Sequence, residues 1–407
     1  MARRADGLSR ALDNTPVVIL GLGRGVFHHG VLGIARSLGR LGVPVHRVGR
    51  ESRAPAAASR YFASWRTIPA TVTDEHALEL LTGLGREVGR PILVAADDAA
   101  CVFVDDHADL LEPLFLLPRQ PAGLVRALSS KRGMYELCKE HGIPTPPSFF
   151  PESEREVLAH AQQNSFPVVL KCINAADAPH SAPRVVIAQN GEELIDGYRQ
   201  MQTPDMSNVM LQEYVPGTPE TVWMFNGYFD DRSECRIGFT GKKIRQSPPY
   251  TGATTLGVCL PNETVQETTE RFMRGIGYRG ILDIGYRFDE RDGQYKLLDV
   301  NPRIGGTFRL FVGDNDLDVL RAMHLDLTGR EVPASGLPDG RRWIVEPLDL
   351  TSSIVYRRRG DIRLGAWLRS FRGVREAAWF ALDDPLPFLA LWPRLALDRV
   401  LSLMGRG

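Results

Sequence analysis

Residues Gly280 to Phe308 read GILDIGYRFDERDGQYKLLDVNPRIGGTF, and this stretch predicts the fold around it. Two runs rich in apolar and aromatic residues, Ile281 to Phe288 and Tyr295 to Val300, indicate β-strands. The sequence Arg-Asp-Gly at residues 291–293 lies between them, and Asp-Gly is a strong signal for a hairpin turn. The stretch is therefore predicted to form a β-hairpin.

Three oxygen-bearing side chains lie on this hairpin. Asp283 stands among apolar residues on the first strand, and Asp299 and Asn301 are two residues apart on the second, so alternation places the latter two on one face. Such a cluster is costly to bury unless a cation neutralises it. Oxygen ligands suit Mg²⁺, which commonly shares its remaining coordination sites with substrate phosphates. Arg303 lies just past the second strand as a positive fork suited to a phosphate.

The alternative is an ordinary hairpin whose acids face water. We adopt that interpretation for Asp289, Glu290 and Asp292. For Asp283 and the pair on the second strand we favour the functional interpretation, because the sequence DVNPRIGG is polar and turn-rich where a routine strand would simply end.

At these residues the chain resembles the ATP-grasp superfamily, whose last core strands carry an acidic residue and then an acidic-x-Asn-x-Arg run. The resemblance implies that Asp283, Asp299 and Asn301 hold one or two Mg²⁺ ions against the phosphates of ATP, with Mn²⁺ as an alternative metal, and that Arg303 is catalytic. One departure is Asp299, where the family more often has the longer Glu. The resemblance covers roughly Leu128 to Val312 well and the N-terminal segment more loosely.

Composition excludes several other classes of protein. The 407 residues are enough for two or three domains, and 49 basic residues balance 49 acidic ones, so no global charge favours nucleic acid. Five scattered cysteines without CxxC spacing fit reduced thiols in a cytoplasmic protein. We find neither a signal peptide nor an apolar run of about 18 residues.

The N-terminal part reads as alternating strands and helices. Pro16 to Leu20, Val43 to Val48 and Pro91 to Ala96 are predicted strands, and Val31 to Leu41 is a predicted helix, which together indicate a parallel sheet. GLGRG after the first strand lacks the spacing of a dinucleotide fingerprint, so a tight turn is favoured.

For two polar groups in this part, the sequence leaves open whether they bind a ligand or have only a local role. His28-His29-Gly30 could meet an anion at the start of the helix or only cap it. Asp97-Asp98 comes directly after a strand end, where ligands gather in such sheets, but adjacent acids are more often solvated.

Two lysines are candidates for phosphate binding. Lys131 lies near the start of an amphipathic helix, and Lys171 would point inward from the strand Phe166 to Cys172, so each is expected to meet an anion. The superfamily has a lysine at both places. Where many relatives have a glycine-rich lid, this chain has NAADAPHSAPRVV, in which His180, Ser181 and Arg184 are the side chains available to replace it.

The strand Val209 to Val215 and the residues up to Glu220 resemble the adenine hinge of the superfamily. The resemblance assigns Gln212 or Glu213 to the amino group of adenine, the backbone of Val215 to the ring, and Glu220 to the ribose hydroxyls. The alternative for Glu220 is an ordinary charge at a strand edge.

Further on, residues 223–236 read as a strand, a turn at Asn226-Gly227 and a return through Asp230-Asp231. Lys243 and Arg245 are two apart, so alternation predicts that they share a face and grip the γ-phosphate or a carboxylate substrate. The segment around Lys243 and Arg245 looks most like the corresponding segment of D-aspartate ligase-like carboxylate-amine ligases.

The sequence thus predicts an α/β and α+β chain with three parts. Residues 1–125 would form a Rossmann-like domain, residues 126–330 an ATP-grasp domain with subdomains 126–207 and 208–330, and residues 331–407 a C-terminal extension after a linker at 333–340. The extension's apolar end is broken by charges and by Pro393; it could lie in a membrane interface, dock on the body of the protein, or contact a second subunit in a homodimer.

The function implied by the resemblance is ATP-dependent ligation of a small-molecule carboxylate to an amine through an acyl phosphate, with release of ADP and phosphate. Catalysis would rest on Arg303, Lys243 and Arg245, and Lys131, Lys171 and Lys243 would bind the nucleotide. The alternatives are an ATP-grasp carboxylase, kinase-like phosphoryl transfer to a carboxylate, and a nucleotide-binding module without catalysis.

Overall fold

The described residues of the computed structural model are 12–23, 29–50, 54–69, 73–174, 183, 185–203 and 207–403, and for 398–403 only the backbone is described. They contain three β-sheets, of four, four and seven strands, with helices packed on each. The mixed α/β architecture expected from the sequence is confirmed.

The N-terminal sheet has four parallel strands in the order β3-β2-β1-β4. Its strands are β1 (Val17–Gly21), β2 (Val45–Gly49), β3 (Phe62–Thr67) and β4 (Ile92–Ala95). Its helices are α1 (His29–Gly39), α2 (Asp74–Val88), α3 (Asp98–Asp106) and α4 (Ala108–Leu111). The first strand is buried along its whole length, as its unbroken apolar sequence predicts for a parallel sheet covered on both faces.

Two helices, α5 (Leu124–Ser129) and α6 (Lys131–Glu140), lead into a small antiparallel sheet with the order β5-β8-β6-β7. Its strands are β5 (Ser148–Phe149), β6 (Val168–Cys172), β7 (Val185–Ala188) and β8 (Val209–Glu213), and its helices are α7 (Glu154–Gln163) and α8 (Gly191–Met201). Apolar side chains of β6, β8 and α8 form one core beneath this sheet. Because that core is separate from the others, the small sheet forms a layer of its own.

The large sheet has seven strands in the order β13-β12-β9-β10-β11-β14-β15. Its strands are β9 (Val222–Phe229), β10 (Cys235–Ser247), β11 (Ala253–Cys259), β12 (Gly280–Asp289), β13 (Gln294–Asn301), β14 (Arg342–Ile344) and β15 (Val374–Ala377). The remaining helices are α9 (Glu263–Gly275), α10 (Val319–Leu327), α11 (Glu346–Arg358), α12 (Leu364–Ser370) and α13 (Leu386–Leu403). The hairpin predicted from the sequence is the pair β12 and β13.

The two faces of the large sheet bury different partners. On the front face, Met224, Tyr228 and Ile281 belong to the core that contains α10 and helix α1 of the N-terminal part. On the back face, Trp223 and Leu282 belong to the core that contains α6 and α9. Alternation along each strand therefore assigns a side chain to the front or the back face.

The predicted turn at Asn226-Gly227 is wrong. Strand β9 runs straight through both residues and is buried throughout, with Asn226 paired in register with Asp283. The chain reverses instead after β9, where the Asp230 carboxylate accepts hydrogen bonds from the backbone N–H groups of Arg232 and Glu234. Pairing on both sides and burial override the local Asn-Gly signal.

The C-terminal extension completes the large sheet. Residues 328–341 contain no helix or strand, in keeping with a linker, but β14 then pairs with β11 and β15 pairs with β14. Trp343 of β14 is 1% exposed and belongs to the front-face core. The extension is therefore a structural part of the large sheet.

The last helix, α13, docks on the body of the protein. Its Leu391 is 1% exposed and shares a core with residues of the N-terminal sheet. Just before the helix, Asp384 accepts from the Arg36 guanidinium of α1 at 2.9 Å and from the Ser59 hydroxyl at 2.7 Å. Among the three alternatives for this segment, docking on the body is the one that the structure shows. No helix in the described ranges has the length and apolar character of a membrane span.

Candidate active site

The β12-β13 hairpin brings the three predicted oxygen ligands together. Asp283 lies directly opposite Asn301, and Asp299 lies opposite Gly285 on the same front face. The Asn301 amide donates to the Asp283 carboxylate at 3.4 Å. The turn forms at the predicted place, where Gly293 has φ +71°, a conformation that favours glycine. The two carboxylates and one amide thus line one wall of a cleft.

The pKa values of the two carboxylates in this cluster are shifted in opposite directions. Burial and the neighbouring Asp299 raise the pKa of Asp283 to about 6, although Arg303 and Lys243 act in the opposite direction. Burial would also raise the pKa of Asp299, but contact with Lys131 lowers it below the usual value. A buried carboxylate that is hard to ionise is stabilised when a cation binds beside it.

Lysines reach the cluster from the opposite wall. Lys131, the first residue of α6, contacts Asp299. Lys171 on β6 donates to the Gln212 side chain at 2.8 Å, and burial together with nearby Lys131 lowers the pKa of Lys171 to about 8. Both candidate phosphate lysines therefore lie near Asp299 of the hairpin, and their binding to phosphate stays a prediction.

Arg303 connects the hairpin to the N-terminal sheet. It donates to Asp98 at 2.5 Å and to the Asn301 side-chain oxygen at 3.2 Å. Asp97 has a local role, because it caps α3 by accepting from the Ala100 N–H and also accepts from the Gly23 N–H. Of this acidic pair, Asp98 is the one that contacts Arg303, and a ligand role for it stays open.

Lys243 and Arg245 do not share a face, so that prediction is wrong. A β-bulge at residue 244 inserts one extra residue into β10 opposite β11. The bulge shifts the alternation, so that Lys243 faces the acidic cluster and Arg245 turns to the back face. There Arg245 is 3% exposed and forms a two-pronged ion pair with Asp349 of α11. This geometry places Arg245 outside the cleft.

The hinge residues connect the small sheet to the cleft. Gln212 is 3% exposed and bridges Lys171 and Ser148, whereas the Glu213 carboxylate pairs with Arg291 at 2.6 Å. Val215 is buried and Glu220 is exposed. Gln212 and Glu213 thus already have protein partners in this structure.

Asp289 is not a solvent-facing acid, contrary to the expectation from sequence. Its side chain is fully buried and accepts from Lys296 at 2.6 Å and from the Arg291 guanidinium. Asp292 also pairs with Lys296, at 2.9 Å, while Glu290 is exposed as expected. The far end of the hairpin is therefore closed by an ionic cluster of its own.

Several sequence candidates lie outside the described residues. His28, His180, Ser181 and Arg184 belong to this group. Helix α1 begins at His29, and its Gly30 packs so closely on the Gly306 backbone that an added Cβ would lie 3.1 Å from the Gly306 Cα. The start of α1 thus contacts the loop that comes after Arg303.

Asn226 is a site residue that the sequence analysis missed, because it was assigned to a turn. It lies in register between Phe239 and Asp283, is fully buried, and donates to the Leu282 carbonyl at 3.2 Å. Its side-chain oxygen has no partner among the described residues. The absence of a charge or a motif left no sequence signal for it other than its place on a buried strand.

The donor set fits a hard divalent cation. No cluster of three or more His, Cys, Asp or Glu side chains suited to a metal occurs in the part of the chain that the structure describes. The cleft offers instead two carboxylates and an amide oxygen, which suit Mg²⁺ when the remaining ligands are water or phosphate. The residues that could hold the ion are Asp283, Asp299 and Asn301.

A comparison with curated proteins finds a similar enzyme. No family model matches the chain. The D-aspartate ligase of Enterococcus faecium (strain Aus0004) is 27% identical over 308 residues, which cover 72% of this chain and 72% of that ligase.

Solved structures with similar folds include two enzymes. An ADP complex of N5-carboxyaminoimidazole ribonucleotide synthetase aligns with a TM-score of 0.60 and 12% identity over 81% of each chain. The L-amino acid ligase of Bacillus licheniformis aligns with a TM-score of 0.57 and 15% identity over 77% of this chain and 75% of the ligase. At these identities the likeness shows a common fold.

Proposed function

We propose that this chain, which has the ATP-grasp fold and belongs to the ATP-grasp superfamily, is an ATP-dependent ligase that joins a small-molecule carboxylate to an amine. The observation that carries the proposal is the convergence of charge in one cleft. Asp283, Asp299 and Asn301 on one wall face Lys131 and Lys171 on the other. A metal-bound triphosphate requires oxygen ligands for its metal ion and cationic side chains for its phosphates.

In this proposal the lysines bind the phosphates of ATP. Lys131 and Lys171 come from different elements and both reach the cluster, so they would grip the nucleotide from the side of the small sheet. Lys243 and Arg303 lie on the hairpin side and would neutralise charge on the transferring phosphoryl group. Mg²⁺ held by the three oxygen ligands would polarise the phosphates.

The purine would lie at the hinge between the small and large sheets. Val215 offers backbone groups for the ring, Gln212 or Glu213 would read the amino group, and the exposed Glu220 would accept from the ribose hydroxyls. Because Gln212 already accepts from Lys171, it would couple the base to the phosphate lysine.

The chemistry proceeds in two steps in this proposal. An oxygen of the substrate carboxylate attacks the γ-phosphorus, ADP leaves, and an acyl phosphate forms. The amine then attacks the acyl carbon, phosphate leaves, and the amine loses a proton. Arg303 lies between the oxygen cluster and Asp98, so it can hold the carboxylate and its phosphorylated form. Similarity to D-aspartate ligase supports an amino acid as one substrate.

The test is a panel of carboxylates and amines, including D- and L-aspartate, scored by ADP release and by the mass of the product. Once a productive pair is found, Asp299→Asn should lower kcat at least a hundredfold, because it removes a charged metal ligand. Glu290→Gln on the same hairpin is the control and should leave kcat unchanged, because Glu290 is exposed at the far end.

Other outcomes separate the rival functions. ADP release that needs a carboxylate but no amine would point to phosphoryl transfer or carboxylation. Nucleotide binding without turnover on any pair, unaffected by Asp299→Asn, would point to a module without catalysis. Either result would overturn the ligase proposal.

A further inference from the structure

A row of side chains crosses the back face of the large sheet. Trp223, Lys242, Val258 and Arg342 are paired in register on β9, β10, β11 and β14. Side chains at paired positions project to the same face. The Lys242 ammonium lies 4.6 Å from the centre of the Trp223 ring, which fixes it on that face. The row therefore places one cation on each side of Val258, Lys242 on β10 and Arg342 on β14.

A cavity of about 450 Å³ lies over this row, between the sheet and helix α12. The cations around it are Lys242, Lys243, Arg342 and Arg369, and the only acid among its described lining residues is Glu220. Arg342 and Arg369 belong to the C-terminal extension. The extension thus contributes half of the positive charge around the cavity.

Three of these cations, Lys242, Arg342 and Arg369, form no ion pair with an acidic side chain of the described residues, whereas Lys243 lies near Asp283 and Asp299. Arg342 donates to the Ser370 backbone carbonyl at 2.7 Å, which satisfies a hydrogen bond but leaves the charge. Buried arginines elsewhere near the extension are neutralised, as Arg245 is by Asp349.

The row lies on the other face of the sheet from the acidic cluster of the proposed catalytic cleft, and the cavity adjoins the proposed nucleotide site at Glu220 and Lys243. Lys243 and Lys242 are consecutive on β10, so their side chains point to opposite faces, and Lys243 is the one beside Asp283 and Asp299. Lys242 and Arg342 are separated by two strand spacings, roughly 10 Å between backbones. That separation suits a molecule with two anionic groups better than a single small ion.

We infer that this cavity is a second ligand site, which binds a small molecule bearing two phosphate groups. Arginine forks match phosphate oxygens in a two-pronged geometry, and the lysine adds a point charge at the other end of the row. Arg369 on α12 would close over the ligand from the helix side. The cavity shares Glu220 and Lys243 with the proposed nucleotide site, but the inference rests on Lys242, Arg342 and Arg369 and does not depend on the ligase reaction.

The experiment is isothermal titration calorimetry of the full chain with fructose 1,6-bisphosphate, in the presence of saturating ADP and Mg²⁺. We expect one equivalent to bind, with an affinity that falls as salt is added. Lys242→Met and Arg369→Met should each weaken binding about tenfold, because each removes one charge-assisted contact. Arg375→Met is the matched control, since Arg375 is exposed on the extension and does not line the cavity.

Lys171→Met distinguishes this site from the cleft and should leave binding of the bisphosphate unchanged. Unaltered melting temperatures verify that the variants fold. Failure to bind the bisphosphate, an equal loss in Arg375→Met, or a loss in Lys171→Met would overturn the inference. Loss of ADP binding with the bisphosphate result intact would count against the proposed function alone.

Discussion

Lys171 is held in the cleft by a side-chain amide rather than by a carboxylate. The Gln212 side-chain oxygen accepts a hydrogen bond from it at 2.8 Å, while burial and Lys131 lower its pKa to about 8. An anion placed beside it would restore the usual preference for the charged form. Lys171 is therefore a partly desolvated cation without a carboxylate ion pair among the described residues.

Replacement of this lysine gives the first prediction. Lys171→Met should weaken ADP binding at least tenfold, because one charge-assisted contact to phosphate is lost. Lys139→Met on α6 removes the same charge from an exposed position and should leave the affinity unchanged. Calorimetric titration with ADP measures both. Equal affinities in the two variants would show that Lys171 does not bind the nucleotide.

Arg245 gives a prediction about stability. Arg245→Met leaves the buried Asp349 without its cationic partner, so the free energy of unfolding should fall by about 3–5 kcal/mol. Denaturant unfolding measures the change. The double variant Arg245→Met with Asp349→Leu should recover part of the loss, because no charge is then left buried alone. A single variant as stable as the parent would contradict this role.

The residues of the cleft were predictable to the extent that chemistry and alternation agree. Asp283, Asp299 and Asn301 carry oxygen at spacings that place them on one face, and the structure brings them together. Arg245 could not be placed in this way, because a bulge leaves no mark in the sequence and reverses the face of the residues after it. Asn226 was missed because its identity suggests a turn.

Among the strands and hairpins, some features follow from the local sequence and others from pairing with residues distant in sequence. The turn at Asp292-Gly293 is local chemistry, and it forms where the sequence predicts. The Asn226-Gly227 pair carries a similar local signal, yet the strand continues because neighbours on both sides pair with it. The fold class could be predicted from apolar patterns within single segments. The pairing of strands could not, because it depends on contacts between residues distant in sequence.

Strand β15 carries an acid that should make stability depend on pH. Burial would raise the pKa of Glu376, but the guanidinium groups of Arg309 and Arg341 lower it to about 2. The folded-state pKa lies below the unfolded value, so this contribution is present above about pH 5 and is lost as pH falls toward 2. From the size of the shift it amounts to about 3 kcal/mol.

The variant Glu376→Gln isolates this contribution. It should be less stable than the parent at pH 7, and the difference between the two should shrink as pH falls from 5 to 3, because the unfolded parent then takes up a proton at Glu376 while the folded parent remains ionised. Urea unfolding at several pH values measures the difference. A constant difference over this range would mean that Glu376 is not ionised in an ion pair.

At the level of the whole chain, the extension joins the large sheet to the N-terminal part. Its strands complete the large sheet, its Glu376 holds Arg309, and Asp384 holds Arg36 of helix α1. The sequence predicted that this segment is a separate part after a linker. Composition could not show that β14 pairs with β11 or that β15 pairs with β14. Only the assembled sheet reveals that the extension is part of the core.

Removal of residues 341–407 should therefore abolish the native fold. The truncated chain would expose the β11 edge and lose Trp343 and Trp379, each 1% exposed, from the core. We expect aggregation or loss of near-ultraviolet circular dichroism, whereas removal of residues 404–407 alone should preserve the spectrum. A soluble, compact 1–340 chain that still binds ADP would show that the extension is a separate domain, because its strands would then be dispensable to the sheet.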